Sequence, residues 1–377
     1  MRKSAIRMEH RLVSNEADVR KAYVSVQNHV YDIESGDTLR LILCEESSTS
    51  FYFILGYDHI AMDGFSWEIL FSELQSHYRG SYVPPVGRQY SEWSRRQRND
   101  IMGASLASDR RFWRQEFPTL PPVLPLLPAA KASSRRQLKT YEVHRASAKI
   151  APDLAILVKN ISHTNKVSPF HFHLAVFKTL LFRFTGETDI CIGMADAGRM
   201  DPADSGIIGL LLNLLPLHFE CKANQNFTDT LRDVRTKVYA AMAHSRVPFN
   251  VILDDLAVPR SASHHPLFQA FIEYRQANTP TFTDLRGDLR PDYTSFARTP
   301  YDIELNVLED HASDVTISMG LQTRLYSEEA AQLVLRSYLT LLENFAKYPR
   351  LTVQKPPLYA EQDIDAAITL GRGKNSG

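Results

Sequence analysis

The stretch GYDHIAMDGFSW, residues 56–67, carries the side chains best placed in this chain to do chemistry. His59 follows an apolar run, Asp63 lies four positions later, and Gly64 permits a close backbone approach or a positive φ. A histidine can accept a proton near neutral pH, and N–H groups at the start of a helix can stabilise a developing oxyanion. The spacing fits either a catalytic histidine on a turn or a structural histidine at a strand end.

The neighbouring elements are predicted to place His59 on a strand-to-helix turn. Residues 39–43 and 51–55 have the composition of two strands, and the second is predicted to be central in its sheet because it is apolar on both faces. A helix is predicted to follow, with Ser66 as its cap and Gly80 at its end. Its apolar face consists of Trp67, Leu70, Phe71, Leu74 and Tyr78.

A proline-rich segment separates two halves that share a similar pattern of predicted strands and helices. Five prolines fall within residues 118–128, which excludes a helix or a central strand. Residues 118–137 are therefore predicted to form an exposed connection. The expected lobes are residues 1–125, which contain the histidine motif, and residues 126–377, which end in a linker-like tail.

Composition narrows the function classes. Lys plus Arg and Asp plus Glu both number 43, so the absence of net charge argues against nucleic acid or an anionic membrane as a partner of the whole chain. No apolar run approaches the ~18 residues of a membrane span. Cys44, Cys191 and Cys221 form no C-x-x-C pair and are odd in number, which favours a reducing cytoplasm over a disulfide framework.

Histidines elsewhere in the chain do not predict a metal site. His171 and His173 are two positions apart on a predicted helix, so their side chains diverge. His264 and His265 lack a companion set of carboxylates. The chain also lacks a glycine-rich phosphate loop and a G-x-S-x-G nucleophile elbow.

YDHIAMDGFSW resembles the core motif H-H-x-x-x-D-G of nonribosomal peptide synthetase condensation domains. Later blocks follow in the order of that family: QYSEWSRRQ, DICIGMADAGR, IIGLLLNLLPLHF, HSRVPFNVILDDL and VPRSASHHPLFQAFIEYR. The resemblance runs from about residue 37 to about residue 360. The variants ADAGR and GLLLNLLPL are most similar to condensation domains of fungal polyketide–nonribosomal peptide hybrid synthetases.

The resemblance implies an α/β fold of two chloramphenicol-acetyltransferase-like lobes in a V-shaped pseudo-dimer, with a tunnel between them. The family's S-x-A-Q-x-R and R-H-E-x-L-R-T blocks do not occur before Asp37. A truncated N-terminal lobe with exposed apolar sheet surface is therefore expected.

The implied activity is that of an acyltransferase of secondary-metabolite biosynthesis. It would join a carrier-bound polyketide or aminoacyl thioester to an amine, forming an amide, or an ester in variants. The substrates would be held on the phosphopantetheine of acyl and peptidyl carrier proteins, or of a polyketide synthase acting in trans, and the domain itself would bind no cofactor.

The family's residue roles carry over at matching positions. His59 would act on the acceptor amine as a general base or by positioning it, Gly64 would leave room for substrate, and Asp63 would be structural, paired with Arg199. The implied catalytic set is His59, Asp63 and Gly64, and the set that supports the tunnel is Asp58, Arg199, Asn213 and Ser66.

Asp58 stands where the family has its first histidine. Its carboxylate could raise the pKa of His59, hold one tautomer, or draw the imidazole away. A catalytically impaired or non-catalytic remnant that serves as a docking or gating module is therefore the alternative. Acyl-CoA-dependent acyltransferases share H-x-x-x-D-G but carry a D-F-G-W-G block that this chain lacks, and dihydrolipoyl acyltransferases place the motif near the C-terminus.

Overall fold

The computed structural model describes residues 8–137, 140–276, 298–310 and 314–371. The chain divides into two compact units. Among the described residues, the first unit contains 8–99 and 199–212, and the second contains 100–198 and the described residues from 213 onwards. The lobe boundary near residue 125 remains a prediction.

The first unit contains a three-stranded sheet in the order β1-β2-β3, in which β2 runs parallel to β1 and antiparallel to β3. Its elements are β1 (Met8–Leu12), α1 (Glu16–Gln27), β2 (Leu39–Ser47), β3 (Ser50–Tyr57), α2 (Gly64–Tyr78) and the start of α3 (Tyr90–Met102). Among the described strands β3 is an edge strand, so the prediction that it is central was wrong.

The two faces of this sheet differ because successive side chains of a strand point to opposite sides. Ile42, Cys44 and Ile54 are buried together with Ala22 and Val26 of α1. The opposite face holds Phe51 and Phe53, which are 50% and 46% exposed. The apolar run of β3 therefore includes two phenylalanines that are about half exposed on one face.

Helix α2 begins at Gly64, and its N-cap is Asp63. Asp63 has an extended backbone, and its side chain accepts the Ser66 N–H, so the prediction that Ser66 is the cap was wrong. The predicted closure is confirmed, since Gly80 follows the C-cap with φ +66°, where glycine is favoured.

The second unit contains a mixed six-stranded sheet in the order β4-β9-β8-β7-β5-β6. The strands are β4 (Val143–Lys149), β5 (Asp189–Asp196), β6 (Asn213–Glu220), β7 (Ala270–Gln276), β8 (Ile303–Glu309) and β9 (Val315–Gln322). The helices are α4 (Ala107–Glu116), α5 (Pro152–Thr164), α6 (Pro169–Thr185), α7 (Phe227–Ala243), α8 (Phe249–Asp255), α9 (Glu328–Lys347) and α10 (Glu361–Gly371).

Helix α6 lies in the core of this unit and is buried along most of its length. Ser168 caps its start and Gly186 ends it with φ +71°. Among the described residues, no helix is both long enough and apolar enough to cross a bilayer.

The proline-rich segment 118–137 is largely exposed, as predicted, but it lies within the second unit and does not connect the two units. Leu124 and Leu127 are 5% and 2% exposed. Their backbone N–H groups donate to Gln269 Oε1 at 2.7 Å and to the Tyr326 hydroxyl at 3.1 Å. Prolines exclude helix and sheet pairing but not packing, so the leucines between them anchor an extended segment to the second unit.

Candidate functional site

His59 lies on a turn between the end of β3 and the start of α2. The turn is fixed by hydrogen bonds from Asp58 N–H to the Thr38 carbonyl at 3.0 Å and from Ala61 N–H to the Asp58 carbonyl at 2.9 Å. His59 and its neighbour Ile60 are exposed. The strand therefore sets the position of the imidazole without burying it.

One aromatic pair lies beside the imidazole. The Tyr57 ring is 6.4 Å from the His59 ring, centroid to centroid, with the planes at 58°. Trp67 Nε1 donates to the Tyr57 hydroxyl at 2.7 Å, which ties the end of β3 to α2. Within the described residues the structure assigns no hydrogen bond or ion pair to the His59 side chain. The imidazole is therefore exposed and carries no assigned hydrogen-bond partner in this part of the chain.

The Asp58 carboxylate is engaged with its own turn. Its Oδ1 accepts the Ile60 N–H at 2.9 Å, as short aspartate side chains often do in turns. No bond from this carboxylate to the imidazole is present among the described residues. The geometry thus makes Asp58 a turn-forming residue.

The Asp63 carboxylate is 1% exposed and accepts six hydrogen bonds. Oδ1 accepts from Ser66 N at 3.0 Å, Ser66 Oγ at 2.9 Å and Arg199 Nη2 at 3.0 Å. Oδ2 accepts from Arg199 Nη1 at 2.8 Å, Leu211 N at 3.0 Å and Leu212 N at 3.2 Å. The ion pair between Asp63 and Arg199 that the resemblance implied is present.

This arrangement keeps Asp63 ionised. Burial alone would raise the pKa of its carboxyl group, but donation from Arg199 and the Leu211 N–H outweighs burial and holds the pKa below its ordinary value. The Arg199 side chain is 4% exposed, donates also to the Ile207 carbonyl at 3.0 Å, and lies 4.9 Å from the centre of the Phe65 ring. The pair serves to fix the backbone beside His59.

Ser66 completes the same network. Its Oγ accepts from Gly209 N at 3.1 Å and from Arg199 Nη2 at 3.2 Å, and lies 3.0 Å from the Gly209 carbonyl oxygen. Its contacts are therefore structural.

Gly64 is exposed, and its φ is not positive. A Cβ at this position would meet no atom of the described residues within 4 Å. Among the described residues Gly64 uses neither the positive φ nor the close backbone approach that glycine permits, and open space lies beside the first turn of α2.

Asn213 stands at the start of β6 in the second unit. Its Nδ2 donates to the Ser245 carbonyl at 2.9 Å and to the Val247 carbonyl at 2.8 Å. Its Oδ1 accepts from Leu214 N at 2.9 Å and Phe249 N at 3.0 Å. These bonds use both ends of the amide, so its observed role is to join β6 to the turn before α8.

The described part of the chain contains no cluster of three or more metal-ligating side chains. His171 forms a capping box with Ser168, and His173 Nδ1 lies 2.7 Å from the Tyr338 hydroxyl.

Sequence reasoning missed the backbone groups that bind Asp63 and the bond between Tyr57 and Trp67. Backbone donors leave no mark in a residue pattern, whereas an aromatic pair that flanks the motif was a signal that could have been used.

Comparison with known proteins identifies a family for this chain. The family model for the condensation domain matches residues 3–366. The polyketide synthase-nonribosomal peptide synthetase phmA of Phaeosphaeria nodorum is 39% identical over 375 residues, and the hybrid synthetase cheA of Chaetomium globosum is 38% identical over 373. Each match covers 99% of this chain but only 9% and 8% of the respective relative.

Solved structures give the same result for the fold. The condensation domain of the monacolin K polyketide synthase MokA is 27% identical, with a TM-score of 0.82 over 93% of this chain and 82% of that one. The X-domain from teicoplanin biosynthesis is 18% identical, with a TM-score of 0.82 over 94% of this chain and 82% of that one, and supports the fold alone.

Proposed function

This chain belongs to the condensation-domain family, and from that premise we propose that it joins a carrier-bound acyl thioester to an amine in the biosynthesis of a fungal polyketide–peptide hybrid. Condensation domains are acyltransferases that form amide bonds between substrates held on the phosphopantetheine of carrier domains. The observation that carries the proposal is the exposed His59 imidazole, which has no hydrogen-bonding partner within the described residues.

The chemistry balances without a redox partner or a metal. The amine nitrogen attacks the thioester carbonyl carbon, the C–N bond forms and the C–S bond breaks. The proton lost by the amine passes to His59 and then to the departing thiolate sulfur. A thioester is already activated, so holding the amine against the carbonyl contributes more than a strong base would.

Asp63 and Arg199 act by position in this proposal. Their buried ion pair fixes the first turn of α2, and the open space above Gly64 admits the substrate. Apart from the Ser66 N–H, which donates to Asp63, the N–H groups at the start of α2 point out of the helix and are suited to an oxyanion. The catalytic set His59, Asp63 and Gly64 and the supporting set Asp58, Ser66, Arg199 and Asn213 remain proposals as functional roles.

The partners we propose are an acyl carrier that brings a polyketide chain and a peptidyl carrier that brings an amino acid, in the cytoplasm. The named relatives are hybrid synthetases of which this chain spans less than a tenth. The same carriers could therefore be supplied by a longer polypeptide or by a separate synthetase.

The alternative, a docking or gating module without catalysis, derives from Asp58 in place of the family's first histidine. The hydrogen bond from Ile60 N–H to Asp58 weakens that argument, because the carboxylate stabilises the turn that presents His59.

A His59→Ala variant separates the two functions. Each protein is mixed with one carrier loaded with an acyl chain and another loaded with an amino acid, and the condensed product is followed by mass spectrometry of the carriers. We expect the variant to lose about 10²-fold or more in rate with its circular dichroism unchanged. The matched control is His163→Ala, an exposed histidine at the end of α5, which should retain the wild-type rate. Absence of product with a folded wild-type protein would favour docking, whereas full activity of a folded His59→Ala protein would show that transfer does not depend on this imidazole.

A further inference from the structure

Residues 199–212, here called the strap, make most of the bonds that hold Asp63. Besides Arg199 and the N–H groups of Leu211 and Leu212, the strap offers the Gly209 carbonyl, which accepts the Asp63 N–H at 3.2 Å. Its regular structure within the described residues is one short 3₁₀ turn, Pro202–Asp204. Its position must therefore come from contacts made elsewhere along its length.

The second set of contacts lies at the start of α3. Arg88 Nη1 donates to Asp201 Oδ2 at 3.1 Å and also to Asp204 Oδ1. Arg96 adds a bond to Asp201 at 3.0 Å. Asp204 is 5% exposed, so Arg88 neutralises a carboxylate that is largely removed from water.

A packing contact fixes the far end of the strap. Gly209 lies flat against the Tyr90 ring, where a Cβ would fall 2.3 Å from the ring carbon Cδ2. The Tyr90 hydroxyl donates to the Leu210 carbonyl at 3.3 Å. Three positions earlier, a Cβ on Gly206 would meet only Val86 at 3.6 Å, an ordinary van der Waals distance.

We propose that Arg88 is a positioning residue that fastens the strap, and that the fastened strap in turn holds the Asp63 carboxylate and the turn that carries His59. Its relevance to catalysis rests on the proposed acyl transfer. The physical reason is that removal of Arg88 leaves a buried Asp204 carboxylate without its main counter-charge, which favours displacement of the strap into water. Displacement removes Arg199 and two N–H donors from Asp63 at the same time.

Displacement of the strap should raise the pKa of Asp63. Its donors lower its pKa against the effect of burial, so their loss leaves burial to raise the pKa. The charged or titratable groups assigned around this carboxylate are Arg199 and Tyr90, and the pKa of Tyr90 is itself raised by burial and then by the charge of Asp63. A loosened strap should therefore move the titration of the Asp63 carboxyl group to higher pH.

The experiment compares Arg88→Gln, Arg88→Lys and Gly209→Ala with the control Gly206→Ala in the full chain. The first readout is hydrogen exchange of the Leu211 and Leu212 amides, and the second is titration of the Asp63 carboxyl carbon by NMR. We expect at least tenfold faster exchange and a raised Asp63 pKa in Arg88→Gln and Gly209→Ala, partial recovery in Arg88→Lys, and wild-type behaviour in Gly206→Ala. The acyl-transfer rate should fall at least tenfold in Arg88→Gln and Gly209→Ala.

Unchanged amide exchange and an unchanged Asp63 titration in both disrupting variants would overturn the proposal. A fall in rate accompanied only by a lower melting temperature, with the Asp63 titration unchanged, would reduce Arg88 to a structural residue and also overturn it. If Arg88→Gln does not fold, the exchange and titration measurements on Gly209→Ala and Arg88→Lys test the proposal in its place. Absence of acyl transfer by the wild-type protein counts against the proposed function alone, because exchange and titration still test the link from Arg88 to Asp63.

Discussion

At the scale of single residues, two aspartates five positions apart have different tasks because their burial differs. Asp58 is partly exposed and bonds to its own turn, whereas Asp63 is buried and accepts six donors. A side chain that bonds only a neighbouring N–H can be replaced by another acceptor, but one that balances a buried cation needs its charge. The two residues should therefore respond differently to the same Asp-to-Asn change.

Asp58→Asn should leave acyl transfer within about twofold of the wild-type rate, because the asparagine oxygen can still accept the Ile60 N–H. Asp58→Ala removes the acceptor and should destabilise the turn by about 1 kcal/mol. Rates measured from pH 5.5 to 8.5 provide the check. A displaced acid limb in Asp58→Asn would mean that the carboxylate acts on His59 electrostatically.

Asp63→Asn should lower the free energy of unfolding by about 3 kcal/mol at pH 7, because it leaves Arg199 buried without its counter-charge. The pKa of Asp63 is lowered in the folded state, so its stabilisation is present above the unfolded value of about 3.9 and is lost as the pH falls through the folded pKa. Urea denaturation at pH 7 and pH 3.5 should therefore show a smaller difference between variant and wild type at the lower pH.

Asp153→Asn is the matched control, because Asp153 is exposed in the first turn of α5. It should change the free energy of unfolding by less than about 0.5 kcal/mol. A difference between Asp63→Asn and wild type that stays the same at both pH values would contradict the assignment of the effect to the Asp63 charge.

At the scale of elements, the sheet of the first unit offers a matched pair of neighbours on opposite faces. Phe53 is 46% exposed and Ile54 is 8% exposed in the same strand, β3. Phe53→Lys should change the free energy of unfolding by less than about 1 kcal/mol and reduce the binding of an apolar dye, because the lysine replaces exposed apolar surface. Ile54→Lys should cost several kcal/mol, since it buries a charge against α1.

Urea denaturation and dye fluorescence of both variants provide the measurements. Equal destabilisation by Phe53→Lys and Ile54→Lys would mean that the outer face of this sheet is covered in solution.

Elements were predictable where local pattern and packing agree. The Ser-Pro start and glycine end of α6, and the apolar strands of the second unit, follow from capping, periodicity and β-propensity. The edge position of β3 and the anchoring of residues 118–137 were not predictable, because both depend on which distant residues supply partners. A short apolar run has the same composition whether its phenylalanines are buried or exposed.

The candidate site was likewise predictable from the sequence only in part. His59 and its turn could be located from spacing, and the partnership of Asp63 with Arg199 from the resemblance. The backbone donors of the strap could not be located from the sequence, since any residue but proline supplies an N–H group. The importance of Arg88 likewise depends on a contact between residues more than a hundred positions apart.

At the scale of the whole molecule, the core of the second unit contains two buried histidines on α6. The pKa of His171 is lowered to about 4 by burial and then by the charge of Arg235. The pKa of His173 is also lowered to about 4 by burial, against the opposing attraction of Glu309. Both imidazoles are therefore neutral in the folded chain at pH values where an unfolded chain binds protons.

This difference predicts that the free energy of unfolding falls with falling pH between the unfolded and the folded pKa values of these histidines. An unfolded histidine titrates near 6.5, so below that pH the unfolded chain gains protons that the folded core does not, and stability falls as the pH drops towards about 4. Each histidine contributes a slope of about 1.4 kcal/mol per pH unit within the window. Urea denaturation at pH 7, 6 and 5 gives the slope of the unfolding free energy against pH. This slope should be smaller by about 1.4 kcal/mol per pH unit in His173→Gln. It should be unchanged in the exposed control His163→Gln. The Asp63 effect acts only below pH 4, so an unreduced slope in His173→Gln would mean that His173 is already charged in the fold.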